Sequence, residues 1–229
     1  MKSRKAMCGR YTLRARLNQL LQIYAAESDV ELEPRYNIAP TQDVATVRST
    51  ADSATRELAL LHWGLIPSWA DDPKIGNHMI NARGETVAEK PSFRTALKRR
   101  RCLVLADGFY EWKKEGKAKQ PHFIRMKDDG PIAFAGLWEH WRKNGLTIES
   151  CTIITTSANK LMSELHDRMP VILSGNDIDL WLDQKVEDSK TLLPMLDPYP
   201  DEEMETYPVS TLVNSPKNES SECIEPLAE

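Results

Sequence analysis

The chain has 229 residues, of which 41% are hydrophobic and 28% are charged, and its formal net charge is −4. This length is sufficient for one large domain or two small ones with a substantial buried core. Because no apolar run approaches about 18 residues and no apolar stretch follows the basic start MKSRKAM, we expect neither a membrane span nor a secretory signal, and we place the protein in the cytoplasm.

The first predicted element is an amphipathic helix from Leu13 to Ala26, in which leucines and Tyr24 recur at helical spacing. Residues 35–48 then predict a proline-containing turn followed by a short strand, and residues 57–63 predict another strand. Residues 63–90 are expected to be largely loop, because glycine and proline interrupt any regular pattern.

Beyond this loop the pattern is mainly that of short strands. We predict a short helix at 92–99, and later helices at 157–164 and 175–184. The predicted strands are 101–106, 109–113, 121–127, 131–137, 147–155 and 205–210. No repeat or linker divides the chain. The expected fold is therefore a single α+β domain with a mainly antiparallel sheet or barrel core and peripheral helices.

Charge is distributed unevenly between the two halves of the chain. Residues 1–120 hold 21 basic and 14 acidic side chains, a balance of +7, whereas residues 121–229 have a balance of −11. Basic groups gathered on one face could follow a phosphate backbone, as the run Lys98 to Arg101 illustrates. The alternative for any single cluster is ordinary solvated surface.

The cysteines and histidines do not form a recognisable metal or disulfide pattern. The four cysteines are widely separated with no C-x-x-C pair, and the five histidines show no pair at ligand spacing. We therefore expect no metal and no cofactor.

Cys8 is the strongest chemical candidate. If it became the first residue, its free amine (pKa about 7.7–8.0) and its thiol (about 8.5) would both react near neutral pH. An aldehyde could then be captured as an imine and closed by sulfur into a thiazolidine. This requires removal of Met7 and of the extension Met1 to Ala6. The alternative is that Cys8 is a small buried hydrophobe at the start of a strand.

Three further residues could handle protons or hold a reactive group. Glu111 lies between aromatic residues, so we expect a raised pKa and a proton-shuttle role, or alternatively a cross-strand ion pair with Lys113. His166 could act as a general acid or base, or be structural. Asn81 could orient an amine or a carbonyl through hydrogen bonds, or form a turn.

Trp63, Trp69, Phe109 and Trp112 offer flat faces on which nucleobases could stack. Core packing explains each of them equally well when it is considered alone.

Six segments in this order resemble the SRAP (SOS response-associated peptidase) family. They are MCGRY at 7–11, RYNIAP at 35–40, HWGLIPSW at 62–69, NARGET at 81–86, LADGFYEW at 105–112 and HDRMP at 166–170. The resemblance implies a domain over residues 7–229 with a polar C-terminal tail. The extension at 1–6 departs from the family pattern and is expected to be removed or to reflect an upstream start.

The resemblance also implies a function and a set of site residues. Family members attach covalently to abasic sites in single-stranded DNA through an N-terminal cysteine. Cys8 would be the nucleophile, with Asn81, Glu111 and His166 at the other active-site positions. The residues implied to contact DNA are Arg10, Asn37, Pro40, Trp69, Arg83, Trp112 and Arg168. We expect a monomer whose partner is abasic single-stranded DNA.

Two other functions remain open from the sequence. The first is a cysteine peptidase that uses Cys8 and His166 and acts on its own N-terminus or on other peptides. The second is a non-covalent single-strand binding module, which would bind intact and abasic strands equally well.

Overall fold

A computed structural model of the chain describes residues 9–50 and 55–227. The strands are β1 (Tyr11–Leu13), β2 (Ala26–Glu27), β3 (Arg35–Ile38), β4 (Asp43–Ser49), β5 (Arg56–Trp63), β6 (Asn81–Arg83), β7 (Arg101–Ala106), β8 (Gly108–Glu115), β9 (Ala118–Met126), β10 (Ile132–Lys143), β11 (Leu146–Ser157), β12 (Arg168–Pro170), β13 (Ile172–Leu173) and β14 (Met204–Pro208). The α-helices are α1 (Leu17–Tyr24), α2 (Arg94–Arg99), α3 (Lys160–Ser163), α4 (Asn176–Leu182) and α5 (Ser189–Leu192). Within the described ranges, no helix is long and apolar enough to cross a membrane.

The larger sheet closes into a barrel. Its strand order is β12-β11-β10-β7-β4-β5-β2, and β5 also pairs with β11, so that β11, β10, β7, β4 and β5 form a ring. Neighbouring strands in the ring are antiparallel except for the parallel pair of β5 and β11. Among the described residues, four short strands pair with strands of the ring: β6 and β12 with β11, β13 with β10, and β2 with β5.

The smaller sheet is antiparallel throughout, with the order β14-β9-β8-β1-β3. Tyr11 on β1 joins it to the barrel, because its ring contacts Trp63 at a centroid distance of 5.1 Å and Phe134 at 6.0 Å. All three side chains are fully buried. Strand β1, which begins three residues after Cys8, is therefore anchored in the main core.

Successive side chains of strand β8 point alternately into two apolar clusters on opposite faces of the sheet. Phe109 faces the main core, whereas Tyr110 packs with Phe123, Val209, Val213 and other residues under the C-terminal segment. Because successive side chains of a strand point to opposite faces, Glu111 lies on the Phe109 face and Trp112 on the Tyr110 face. The sheet thus divides the site candidates between its two sides.

The predicted α+β class with a mainly antiparallel core is confirmed, and several strands match closely. The prediction of 101–106 agrees with β7 at both ends, whereas β10 and β11 extend beyond the predicted bounds. The loop predicted over 63–90 contains two 3₁₀ turns and the short strand β6.

The helix predicted from Leu13 to Ala26 is wrong at its start. Leu13 belongs to β1, and the helix begins only at Leu17 and ends at Tyr24. Leu13 is 4% exposed, so it is buried by the sheet rather than by the helical stripe that its spacing suggested. Ala25, with a φ of 48°, ends the helix in the left-handed conformation.

Arg101 does not belong to a solvated basic surface. It is 5% exposed, and its guanidinium donates hydrogen bonds to four backbone carbonyls, those of Leu97, Lys98, Trp181 and Asp183. Burial lowers the pKa of Arg101 to about 10. Its role is to join α2 and α4 to β7.

Candidate functional site

Cys8 lies outside the described residues, and the strand that follows it sets the geometry of the site. Strand β1 pairs with β8 in the register Tyr11 to Phe109 and Thr12 to Gly108, and the Tyr110 amide donates to the Arg10 carbonyl at 3.0 Å. Continued by two residues, this register sets Gly9 opposite Glu111. Glu111 therefore lies beside the first residue that the structure describes.

Glu111 is 4% exposed, in agreement with the prediction that it is held beside apolar surface. Its direct cross-strand neighbour is His122 on β9. The His122 Nδ1 atom is buried and has no hydrogen-bond partner among the described residues. Burial together with the nearby Lys113 charge lowers the pKa of His122 below its usual 6.5. An imidazole with a lowered pKa thus lies opposite Glu111.

Asn81 opens β6, which runs parallel to β11 with Asn81 opposite Ile153. Two hydrogen bonds hold the preceding residue, Ile80. Its carbonyl accepts from Trp63 Nε1 at 2.9 Å and from the Ile153 amide at 3.1 Å. Trp63 also contacts Tyr11. One buried indole therefore connects the strand after Cys8 with the strand that carries Asn81.

His166 lies two residues before the start of β12, and its side chain is 11% exposed. Its Nδ1 accepts a hydrogen bond from the Arg168 amide at 3.1 Å and lies 2.9 Å from Asp167 Oδ1. When Nδ1 accepts from the backbone, the ring proton of the neutral imidazole lies on Nε2. The Arg168 amide thus favours a proton on Nε2, whereas the Asp167 carboxylate favours a proton on Nδ1.

Arg168 has several hydrogen-bond partners. Its guanidinium donates to both oxygens of the Glu85 carboxylate and to the Thr155 carbonyl. The hydrogen bond from Arg168, opposed by partial burial, lowers the pKa of Glu85 below its usual value. Pairing of β11 with β6 and β12 brings these residues together, since Thr155 is opposite Arg83 and Ser157 is opposite Arg168.

Arg10 lies against the C-terminal strap, by which we mean residues 209–227. It donates to the carbonyls of Val213 at 2.6 Å and Asn214 at 3.2 Å, and to Asn37 Oδ1 at 2.8 Å. Asn37 has no exposed surface, and its amide nitrogen lies within hydrogen-bond distance of three strap carbonyls. Asn37 therefore holds Arg10 and the strap in place.

The remaining predicted DNA contacts differ in exposure. Trp69 is 60% exposed, Arg83 is exposed, and Pro40 and Trp112 are partly exposed. The Trp112 Nε1 atom donates to Asn214 Oδ1 at 2.7 Å. Trp63 and Phe109 are fully buried, so the core interpretation holds for these two and only Trp69 and Trp112 offer an accessible ring.

Sequence reasoning missed the residues that position these groups. Glu219 accepts from the amides of Tyr36 and Asn37 and pairs with Arg35, and Asn214 contacts both Arg10 and Trp112. Both lie in the segment interpreted as a polar tail. Their roles depend on contacts more than 100 positions apart in sequence, for which local patterning gives no signal.

Within the described ranges, no group of three or more His, Cys, Asp or Glu side chains could hold a metal ion. The three described cysteines are buried, and burial raises the pKa of Cys102 to about 12. These thiols are therefore poor nucleophiles at neutral pH.

Comparison with known proteins agrees with this architecture. The model of the family described as SOS response associated peptidase (SRAP) matches residues 7–216. The abasic site processing protein YoqW of Bacillus subtilis is 47% identical over 224 residues, covering 96% of this chain and 99% of that protein. The abasic site processing protein HMCES of Xenopus tropicalis is 36% identical, with 84% of this chain and 66% of that protein covered.

A solved structure shares the fold. The crystal structure of a protein from Bacteroides thetaiotaomicron superposes with a TM-score of 0.88 at 27% sequence identity, covering 96% of this chain and 100% of that one. On the family match, the identities and the common architecture, this chain belongs to the SRAP family.

Proposed function

We propose that this chain processes abasic sites in single-stranded DNA, and that Cys8, once it is the first residue, forms a covalent thiazolidine with the ring-opened sugar. Membership of the SRAP family and the names of the relatives support the abasic site as target. The observation that carries the mechanism is the pairing of β1 with β8, which the hydrogen bond from the Tyr110 amide to the Arg10 carbonyl continues towards the buried Glu111.

The reaction needs no external redox partner. The Cys8 amine adds to the sugar aldehyde and loses one water to give an imine. The thiol sulfur then adds to the imine carbon, and its proton passes to the nitrogen. One aldehyde and one aminothiol thus give one thiazolidine and one water.

Three side chains are assigned to proton transfer and positioning. Glu111 accepts a proton from the Cys8 ammonium and returns it during loss of water. His166 donates a proton to the sugar ring oxygen as the ring opens. Asn81, on the strand fixed through Ile80, orients the amine.

The assigned DNA surface combines cations with exposed rings. Arg10, Arg83 and Arg168 would bind phosphates, while Pro40, Trp69 and Trp112 would contact bases or sugars beside the lesion. Asn37 would act indirectly: its own side chain is buried, and it accepts a hydrogen bond from Arg10 and so holds that guanidinium in place. We expect steep salt dependence and little sequence preference, a monomer as the active form, and action in the cytoplasm.

The test combines intact-mass measurement with crosslinking. Protein shown to begin at Cys8 is incubated with an oligonucleotide carrying one abasic site, and products are separated after heating in denaturant. We expect a heat-stable adduct with protein that begins at Cys8, and none with Cys8→Ala or with protein that retains residues 1–7. An adduct of equal yield from either control would overturn the role of Cys8.

The same samples distinguish the two other functions. Cleavage of unrelated peptides that depends on Cys8 and His166 would favour a peptidase, whereas loss of residues 1–7 alone fits processing in preparation for the crosslink. Equal affinity for intact and abasic strands without an adduct would favour a non-covalent binding module.

A further inference from the structure

We infer that Asn214 is a positioning residue that holds the Trp112 ring and the Arg10 guanidinium in one fixed arrangement for binding a single nucleic-acid strand. This inference rests on the proposed function, because it assigns Trp112 a base and Arg10 a phosphate. It adds a residue from the C-terminal strap to that surface.

The first observation is that Asn214 contacts both groups. Its side-chain Oδ1 accepts from Trp112 Nε1 at 2.7 Å, and its backbone carbonyl accepts from Arg10 Nη2 at 3.2 Å. Trp112 lies 102 positions and Arg10 204 positions away in sequence. One residue therefore links a cation on the N-terminal segment to an indole on β8.

The second observation is that Asn214 is itself held firmly. It ends a 3₁₀ turn, Thr211–Asn214, whose start is capped by the Ser210 side chain accepting from the Leu212 amide. The carbonyls on either side of it, those of Val213 and Ser215, accept from the buried Asn37 amide. A fixed backbone means that the Oδ1 acceptor is presented with little loss of conformational entropy.

The third observation is the way in which Trp112 is attached. Its ring packs at the margin of the cluster formed by Tyr110, Phe123, Val213 and neighbouring residues, and its polar edge is bound by Asn214. A tryptophan fixed by its edge keeps a ring face for stacking. Preorganising a stacking ring lowers the ordering cost of binding, so the bond to Asn214 affects ligand affinity more than it affects folding.

The bond is exposed, so water can replace it when Asn214 is removed. Loss of Asn214 Oδ1 should therefore leave the fold intact and free the Trp112 ring to rotate. The expected consequence is a higher DNA concentration for half-maximal crosslinking, with the maximal crosslinking rate at saturating DNA unchanged. A residue that contributed only to stability would not raise the half-saturating DNA concentration while leaving the maximal crosslinking rate unchanged.

The experiment uses the full chain processed to Cys8, an abasic single-stranded oligonucleotide, and the variant Asn214→Leu, which keeps side-chain size but removes the acceptor. We expect the half-saturating concentration to rise by about five- to tenfold, the equivalent of one lost hydrogen bond. The matched control is Asn218→Ala, because Asn218 Nδ2 binds the Leu212 carbonyl in the same strap without contacting Trp112 or Arg10 through its side chain. An equal effect of Asn218→Ala would overturn the inference.

A double-mutant cycle tests whether Asn214 acts through Trp112. Trp112→Phe retains a ring but removes the N–H donor, so Asn214→Leu should have little further effect in the Trp112→Phe background. Additive effects would overturn the inference, since residues in one hydrogen-bonded unit are expected to be non-additive.

A readout without DNA separates this inference from the proposed function. The Trp112 indole N–H resonance, identified by its loss in Trp112→Phe, should shift in Asn214→Leu and stay near its original position in Asn214→Asp, which keeps the acceptor. An unchanged resonance in Asn214→Leu would overturn the positioning role. If the parent chain neither binds nor crosslinks abasic DNA while the resonance behaves as expected, the proposed function fails and the Trp112–Asn214 link stands.

Discussion

The Arg168 guanidinium donates hydrogen bonds to both oxygens of the Glu85 carboxylate, so a cation assigned to a DNA phosphate already has an acidic partner in the free protein. The Glu85 side chain is 54% exposed, whereas that of Arg168 is 13% exposed. A phosphate can therefore reach Arg168 only by competing with, or displacing, an accessible carboxylate.

Replacement of Glu85 by glutamine should strengthen binding to single-stranded DNA. The change removes a competitor for Arg168, and we expect an affinity gain of about two- to fivefold at low salt, with a steeper dependence on salt concentration. The control is Glu89→Gln, which makes the same change in net charge at a nearby exposed carboxylate with no ion pair among the described residues. Equal gains from the two variants, measured by fluorescence anisotropy, would show that only net charge matters.

Substitution of Arg101 by methionine should destabilise the fold. The variant leaves four backbone carbonyls without their donor, and we expect a loss of about 2–5 kcal/mol in the free energy of unfolding. Arg99→Met is the matched control, because Arg99 is exposed and its ion pair with Glu187 is long, at 3.8 Å. Urea denaturation followed by circular dichroism measures both, and a similar small loss in each would contradict the assigned role of Arg101.

His122 should make the stability of the protein depend on pH. Because burial, and then the Lys113 charge, lowers the pKa of His122 below 6.5, the unfolded chain binds more protons at this residue as the pH falls through that value. This contribution to stability is therefore present above the unfolded pKa and is lost below it.

The variant His122→Phe removes the titrating group and should show a smaller loss of unfolding free energy than the parent between about pH 7.5 and 5.5. His78→Gln, which changes an exposed histidine in a 3₁₀ turn, should behave like the parent over the same range. Parallel stability curves for parent and His122→Phe would refute the expectation.

Replacement of Gly108 by alanine should destabilise the sheet that carries Glu111. A Cβ atom at this position would overlap the buried Phe123 ring, and overpacking of this kind costs about 1–3 kcal/mol. Gly84→Ala provides the comparison, because its Cβ would meet neighbours at ordinary contact distances of 3.4–3.5 Å. A thermal shift assay should show a clear decrease in melting temperature for Gly108→Ala only.

Local sequence patterns predicted secondary structure correctly where the hydrophobic periodicity or the composition fits one type of element. The run Arg101–Ala106, which is apolar after its first residue, predicts a buried strand, and the structure confirms it. The burial of Glu111 agrees with its place after that run between aromatic residues. Leu13 fits both a helical stripe and a strand, so sequence alone assigned it to the wrong element. Asn81, His166 and Cys8 could be selected by residue type and motif, without any information on their separation.

The amino-acid sequence by itself determined the class of fold and most of the strands, because these depend on composition and short-range periodicity, and it supplied the candidate site residues through residue type and motif. Only the tertiary structure decided which polar groups are free to bind a ligand. Arg101 and Asn37 resemble surface residues in the sequence, but both are buried and their side chains form hydrogen bonds within the protein. Asn214 contacts residues more than 100 positions away in sequence. Such long-range contacts leave no local pattern in the sequence, because they depend on which chain segments the fold brings together and not on neighbouring residues.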